Sequence, residues 1–226
     1  MRTILTLKYG SKYSSDDVNA IYAATQGQYN YICLTDDPTG LHPNIKTMPI
    51  NPEYETFNKV LMFGIENIGD VLYLDLDVHI QKDIVDIWNY ISYNPSVCYT
   101  HWKDKSFPTT TGQANIEMNY LGNYNSSVML WKSGTCGHIV QHFLSNEDYY
   151  MVKYHGDDRF LWHEPIKFDH FPKGLIYSFV YGADRETDKD NFKYRPEYTI
   201  ALLNGQEQFP EVKQQYYDAV SLHKVG

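Results

Sequence analysis

Asp75 and Asp77 stand one residue apart in "VLYLDLDVHI" (71–80), a stretch otherwise apolar enough to read as a buried strand. Carboxylates are costly in such surroundings unless a cation, a hydrogen-bond donor or water compensates them. On a strand alternate residues share a face, so the spacing predicts both acids on one side. In an open α/β sheet, ligands gather beyond the carboxyl ends of the strands. There the pair could hold a divalent cation, or one acid could attack a substrate while the other handles a proton. A solvated strand end, or a cap on the next helix, is the chemically idle alternative.

Each chemical use defines a reaction. In the first, Mn2+ or Mg2+ on the pair neutralises the diphosphate of a nucleotide-sugar and eases its departure. In the second, "LYLDLDVHI" is the first motif of a haloacid-dehalogenase-type phosphohydrolase. Asp75 would then attack phosphorus, Asp77 would act as acid and base, and "HGDD" (155–158) would hold Mg2+. Chain order favours the first. The phosphohydrolase pattern starts its core fold with the DxD strand, whereas here strands and helices fill residues 1–70 beforehand.

The elements that must position these acids follow from periodicity. "TILTLKY" (3–9) reads as a strand, and Val18, Ile21 and Tyr22 then recur at helical spacing after a Ser/Asp cap region. "YNYICLTDD" (29–37) is a second strand closed by a turn, and "NIKTMPI" (44–50) is a third. "TFNKVLMFGIEN" (56–67) places Phe57, Val60, Leu61 and Ile65 on one helical face. After the acid pair come a short helix (83–91), a strand (96–102), a polar loop (103–125), a strand (126–134) and the helix "TCGHIVQHFLSN". The tail from 165 mixes short strands and turns. Strands alternating with helices predict an α/β fold with a largely parallel sheet, and the absence of repeats or linkers predicts one domain over 1–226.

Composition excludes several classes. A net charge of -9 argues against a nucleic-acid backbone as partner, because phosphate contacts need clustered Lys and Arg. Hydrophobic residues at 42% and charged residues at 21% support a sizeable core. The 3 cysteines, Cys33, Cys98 and Cys136, form no CxxC pair and no disulfide framework. The N-terminus lacks a signal-peptide pattern and no apolar run is long enough for a transmembrane segment, so the expected location is cytoplasmic. The 21 tyrosines suit a half-buried sheet, and are also compatible with stacking against a sugar or nucleobase.

An ordered set of motifs carries a more specific resemblance. "TLKYGSKYSSDDVNAIY", "YICLTDDPTGL", "FNKVLMFG", "VLYLDLDVHIQKDI", "NYNSSVMLWKSG", "GDDRFLW" and "FPKGLIYSF" run in this order from about residue 3 to 211. Together they resemble the GT-A-fold glycosyltransferases of family 8 (glycogenin-like) type, closest to a bacterial and phage branch of predicted glycosyltransferases. The resemblance implies a GT-A, Rossmann-like fold with a mostly parallel central sheet flanked by helices. It also implies transfer of a sugar, with retention, from a nucleotide-diphospho-sugar (UDP-linked) to an acceptor hydroxyl on a glycan, lipid-linked sugar or protein. Carried over residue by residue, Leu7 and Tyr13 would line the base and ribose pocket, and Lys59 would lie near the donor sugar and phosphates. Asp75 and Asp77 would bind the metal and the Leu76 backbone would touch the ribose. Asn125 and Ser126 would face the donor sugar, and Asp157, with Asp158, would sit at the sugar hydroxyls or beneath the anomeric carbon.

The sequence departs from that pattern in two places. Gly156-Asp157-Asp158 replaces Gly-Asp-Gln, so a carboxylate stands for a carboxamide, and like-charge repulsion there would raise one acid's pKa. In "LLNGQEQFPEV", Asn204 occupies the place of a metal-binding His, and Gln208 that of a phosphate-binding Lys. An amide oxygen is a poorer Mn2+ ligand than imidazole. Weaker metal and donor binding than the family norm is therefore expected, or a binder without turnover. His223, near the C-terminus, is the candidate substitute ligand.

Overall fold

Ile4, Leu5 and Leu7 are all buried in β1 (Arg2–Lys8), as are Thr3, Thr6 and Lys8. Helices cover both faces of this strand, so its sequence is a continuous run and not an alternation. The computed structural model describes residues 1–103, 122–206 and 208–225. Within them β2 (Asn30–Thr35), β3 (Lys46–Met48), β4 (Asp70–Leu74), β6 (Ser96–Tyr99), β7 (Tyr124–Lys132) and β8 (Asp169–His170) join β1 in a 7-stranded sheet of order β3-β2-β1-β4-β7-β6-β8. The first four of these strands are mutually parallel, and β7 runs antiparallel between β4 and β6. The sheet is therefore mostly parallel, as expected, with one reversed strand near its far edge. Most of the expected 103–125 loop lies outside the described residues.

The helices divide between the two faces. α1 (Ser15–Ala24) packs Val18 and Ile21 against Ile4, Leu72, Leu74 and Leu130. α2 (Asn58–Met62), α3 (Gly137–Leu144), α4 (Glu147–Tyr154) and α5 (Asp157–His163) cover the other face, where Leu5, Tyr73, Met129 and Trp131 meet Phe57, Phe143 and Phe160. Leu72 and Leu74 of β4 thus face one core and Tyr73 the other. A final helix, α6 (Val212–Val225), packs Val212 and Tyr216 against Tyr177, Phe179 and Leu203.

The acid-pair stretch is not one strand. β4 ends at Leu74, a turn closes with the Val78 N–H donating to the Asp75 carbonyl at 3.2 Å, and β5 (Val78–Ile80) enters a second sheet. That sheet has the order β5-β10-β9, formed with β10 (Ile200–Leu202) and β9 (Ile176–Ser178). The alternation that would put both acids on one strand face therefore stops before Asp77. The expected helix at 83–91 is a 3-10 turn over Val85–Tyr90, and the 56–67 helix is a 3-10 turn, Pro52–Phe57, followed by the short α2. The tail contains α6, which the sequence reading gave as strands and turns. α4 and α6 each bury a face made largely of phenols or of two residues four apart (Tyr150 with Tyr154, Val212 with Tyr216), too slight to register as an apolar stripe.

Arg195 fastens the loop that leads into β10. Its side chain is 1% exposed and bridges to both Asp188 oxygens, while further N–H groups donate to the carbonyls of Lys193 and Asp190. A buried bidentate pair with its remaining donors satisfied is costly to break from one side only. Arg195→Met should lower unfolding free energy by about 3 kcal/mol, read as a lower urea midpoint with an unchanged denaturant slope.

Candidate functional site

The parallel strands deliver their carboxyl ends to one rim, and the conspicuous feature there is a buried lysine. Lys59, on α2, is 7% exposed. Its ammonium donates to Asp75 at 2.8 Å and to the Ser126 hydroxyl at 3.2 Å, and lies 3.9 Å from Asp157. Burial pulls its pKa down, but Asp157 and Asp75 outweigh that effect and hold it above the ordinary value. Three predicted residues, from the end of β4, β7 and the start of α5, thus converge on the charge that α2 supplies.

One cation cannot satisfy every acid around it. Asp75 takes the short contact, and its second oxygen accepts from the Tyr73 hydroxyl. Asp157, farther off, has its pKa raised by burial despite Lys59, with the charge of Asp158 adding to the rise and the Ser126 hydroxyl opposing it. Its Oδ2 atom is buried with no hydrogen-bond partner among the described residues. Tyr73 was missed in the sequence, although the two-residue period of a strand places it on the same side as Asp75. Its phenol is held protonated by burial first, then by the Asp75 charge.

Asp77 opens onto a different space, a cleft of about 220 Å³ lined by Lys12, Tyr13, Leu76, His79, Leu203 and Lys213 among others. Burial, then the Asp75 charge, raises its pKa, against the pull of Lys59 and Lys12. Its Oδ1 also lacks a partner among the described residues. Burial and then the Asp77 charge push the Tyr13 phenol up in turn. Lys213 reaches from α6 to Asp17 of α1 at 2.7 Å, so the two helices meet across this cleft. Burial, with the charge of Lys213, lowers the pKa of His79 to about 4 and keeps its ring neutral. Lys12 and His79 lie within the quoted motifs but were given no role there, and Lys213 lies outside them; the topology brings the three together.

The remaining predicted residues are placed as follows. The Leu203 N–H donates to the Asp77 carbonyl at 2.9 Å, which sets Asn204 next along the chain from the acid pair's own backbone partner. Asn204 Oδ1 accepts from the Ser178 hydroxyl at 2.7 Å, and Gln208 Oε1 accepts from Tyr181 at 3.3 Å. Gly205, at φ +89, makes the turn between them in the left-handed region, where a Cβ would meet the Tyr181 hydroxyl at 2.9 Å. Asn125 Oδ1 accepts from the Ser127 N–H, and Asp158 Oδ1 from the Arg159 N–H. Leu7 is buried in the core beneath α2. The His223 ring packs on Tyr194 and does not line the Asp77 cleft.

Hard oxygen donors such as Asp75, Asp77 and Asn204 suit Mg2+ or Mn2+, and the unpartnered Asp77 Oδ1 is the atom a cation would complete. Among the described residues no group of three His, Cys, Asp or Glu side chains is arranged to hold a metal.

An α/β fold of this topology is the GT-A architecture of solved glycosyltransferases. The galactosyltransferase LgtC, solved in complex with donor and acceptor sugar analogues, superposes at a TM-score of 0.60 with 16% identity over 94% of this chain and 95% of that one. An active-site mutant of LgtC gives 0.59 with 15% identity over the same shares. Mouse xyloside xylosyltransferase 1, in its apo form, gives 0.56 with 14% identity over 91% of this chain and 99% of that one. No protein-family model matches the sequence, and no curated protein matches it.

Lys59→Met should destabilise the fold by about 3–5 kcal/mol, because Asp75 and Asp157 would be left buried without their cation. Adding Asp157→Asn should recover part of that loss, and a double-mutant cycle of melting curves measures the coupling. Asp77 has the opposite character. Its folded pKa is raised, so the stability it contributes is present below the unfolded aspartate value and is lost as pH rises through the folded one. Asp77→Asn should therefore raise the melting temperature more at about pH 7.5 than at about pH 5. An equal change at both pH values would contradict the assignment.

Proposed function

We propose that this protein is a glycosyltransferase that moves a sugar from a nucleotide-diphospho-sugar, UDP-linked, to an acceptor hydroxyl, with a divalent cation and with retention at the anomeric carbon. The observation that carries the reading is a pair of buried carboxylate oxygens without a hydrogen-bond donor among the described residues, Asp77 Oδ1 and Asp157 Oδ2 (the latter only in a long ion pair, 3.9 Å, with Lys59), on the rim where this fold gathers ligands. Buried acceptors without donors are the mark of a site shaped for something that supplies them. The LgtC structure of the same fold was captured with donor and acceptor sugar analogues, which is the ligand class proposed here.

In this reading Asp77 and Asn204 hold the cation, with Asp75 beside them. When bound, the cation neutralises charge on the leaving diphosphate. Asp75 already accepts from Lys59 and Tyr73, so Asp77 supplies most of the open ligating capacity. Tyr13 and Leu76 flank the nucleoside in the cleft, and Lys12 and Lys213 face its phosphates. Lys59 fixes Asp75 and Asp157 in place, and Asp157, Asp158 and Asn125 orient the sugar hydroxyls. The acceptor proton passes to an oxygen of the departing phosphate, so no strong general base is needed. The same hydrogen bonds weigh against Asp75 as a phosphate-attacking nucleophile, since a lysine and a phenol already draw on its charge.

A second reading, a sugar-nucleotide binder without turnover, is favoured by Asn204 and Gln208. Both amide oxygens are already used, by Ser178 and Tyr181. Calorimetry with UDP and GDP, with and without Mn2+, is expected to show metal-dependent UDP binding that Asp77→Asn abolishes and chelation reverses. Asn204→His should tighten that binding, since imidazole is the better Mn2+ ligand. Hydrolysis or transfer from a panel of UDP-sugars separates the enzyme from the binder, and failure to bind any nucleotide sinks both.

A further inference from the structure

A second cleft, of about 190 Å³, lies beyond the end of β6, separate from the Asp77 cleft. The Arg185 N–H donates to the His101 carbonyl at 3.1 Å and the Thr100 N–H to the Asn123 carbonyl at 2.8 Å. These bonds tie the 184–188 turn to the β6 exit and make the walls a fixed part of the fold. Thr100, Lys103, Lys173 and Arg185 line the cleft together with Asp184 and Glu186. With His101 neutral, three cations against two anions leave this space net positive in a chain of net charge -9.

Two groups in it are under-satisfied. Lys103 donates to the Gly122 carbonyl at 3.1 Å and makes no ion pair among the described residues; burial lowers its pKa, and the charge of Asp158 only partly offsets that. Thr100, 1% exposed, has a buried hydroxyl with no partner among the described residues. A half-buried ammonium without a carboxylate and a buried hydroxyl without a partner among the described residues call for the same complement, an acceptor-rich anionic group. The cleft also adjoins the candidate transfer residues. Cys98 pairs in register with Asn125, two residues before Thr100, and the field of Lys103 reaches Asp158.

We propose that this cleft seats an anionic group, a phosphate or a carboxylate, carried by the acceptor, so that the protein glycosylates charged polyol or saccharide chains in preference to neutral sugars. The proposal rests on the transferase reading for the word acceptor, while the cleft itself is tested by binding alone. Calorimetry of the full chain compares glycerol phosphate with glycerol, and glucuronate with glucose. The charged member of at least one pair should bind about tenfold tighter, the scale of one charge-assisted hydrogen bond. The pair with the larger gap identifies phosphate or carboxylate as the group. Lys103→Met should remove the gap. Because that lysine is half-buried, Lys173→Met, whose side chain is 61% exposed, is the second variant and should narrow it. Equal binding within both pairs, or a full gap surviving in both variants, overturns the proposal. Nucleotide binding by the wild type without discrimination between charged and neutral ligands defeats the cleft alone; the converse result defeats the transferase reading and keeps the anion seat.

Discussion

The rim of this protein is organised by the ammonium of Lys59. A lysine taken out of water is tolerable only where acids and acceptors replace its hydration, and Asp75, Asp157 and Ser126 do so from three separate elements. The contact fixes α2 against the end of β4 and draws the start of α5 onto β7. It also explains an asymmetry between the acids. Asp75 is hydrogen-bonded on both oxygens, while Asp77 and Asp157 each keep one buried oxygen without a hydrogen-bond donor among the described residues. An arrangement with charge left over at chosen atoms costs stability, and such costs concentrate where ligands bind.

Much of the fold was legible because its central strands are buried on both sides and bounded by turn residues. The runs at 3–9 and 29–37 became β1 and β2 almost residue for residue. The acid pair was legible as a site but not as a geometry, because an apolar stretch does not reveal where a strand leaves one sheet for another. Leu72, Leu74, Val78 and Ile80 read as a single pattern, although a turn divides them. The helices at 147–154 and 212–225 escaped notice because phenols, not aliphatic side chains, make much of their buried faces.

The candidate site was legible in a similar, partial way. Lys59, Asp75, Ser126 and Asp157 come together as the motif order implied. Leu7 is a core residue, and His223 sits on Tyr194, away from the Asp77 cleft. Lys12, His79 and Lys213 were given no role from the sequence, although the first two lie within the quoted motifs, since such a lysine or histidine is ordinary until the partner element is known. Lys103 and Thr100 belong to the same category. What identifies them is an unmet hydrogen bond or charge, a property of the assembled molecule.

The link from the Leu203 N–H to the Asp77 carbonyl has a further consequence for divergence. Side chains play no part in this bond, so it does not depend on the residues at 204 and 208, whose amides make the separate contacts to Ser178 and Tyr181. A substitution at 204 or 208 then removes a side-chain contact while leaving the main-chain link available. This edge is tied to the acid pair by backbone atoms, which leaves its side chains open to change.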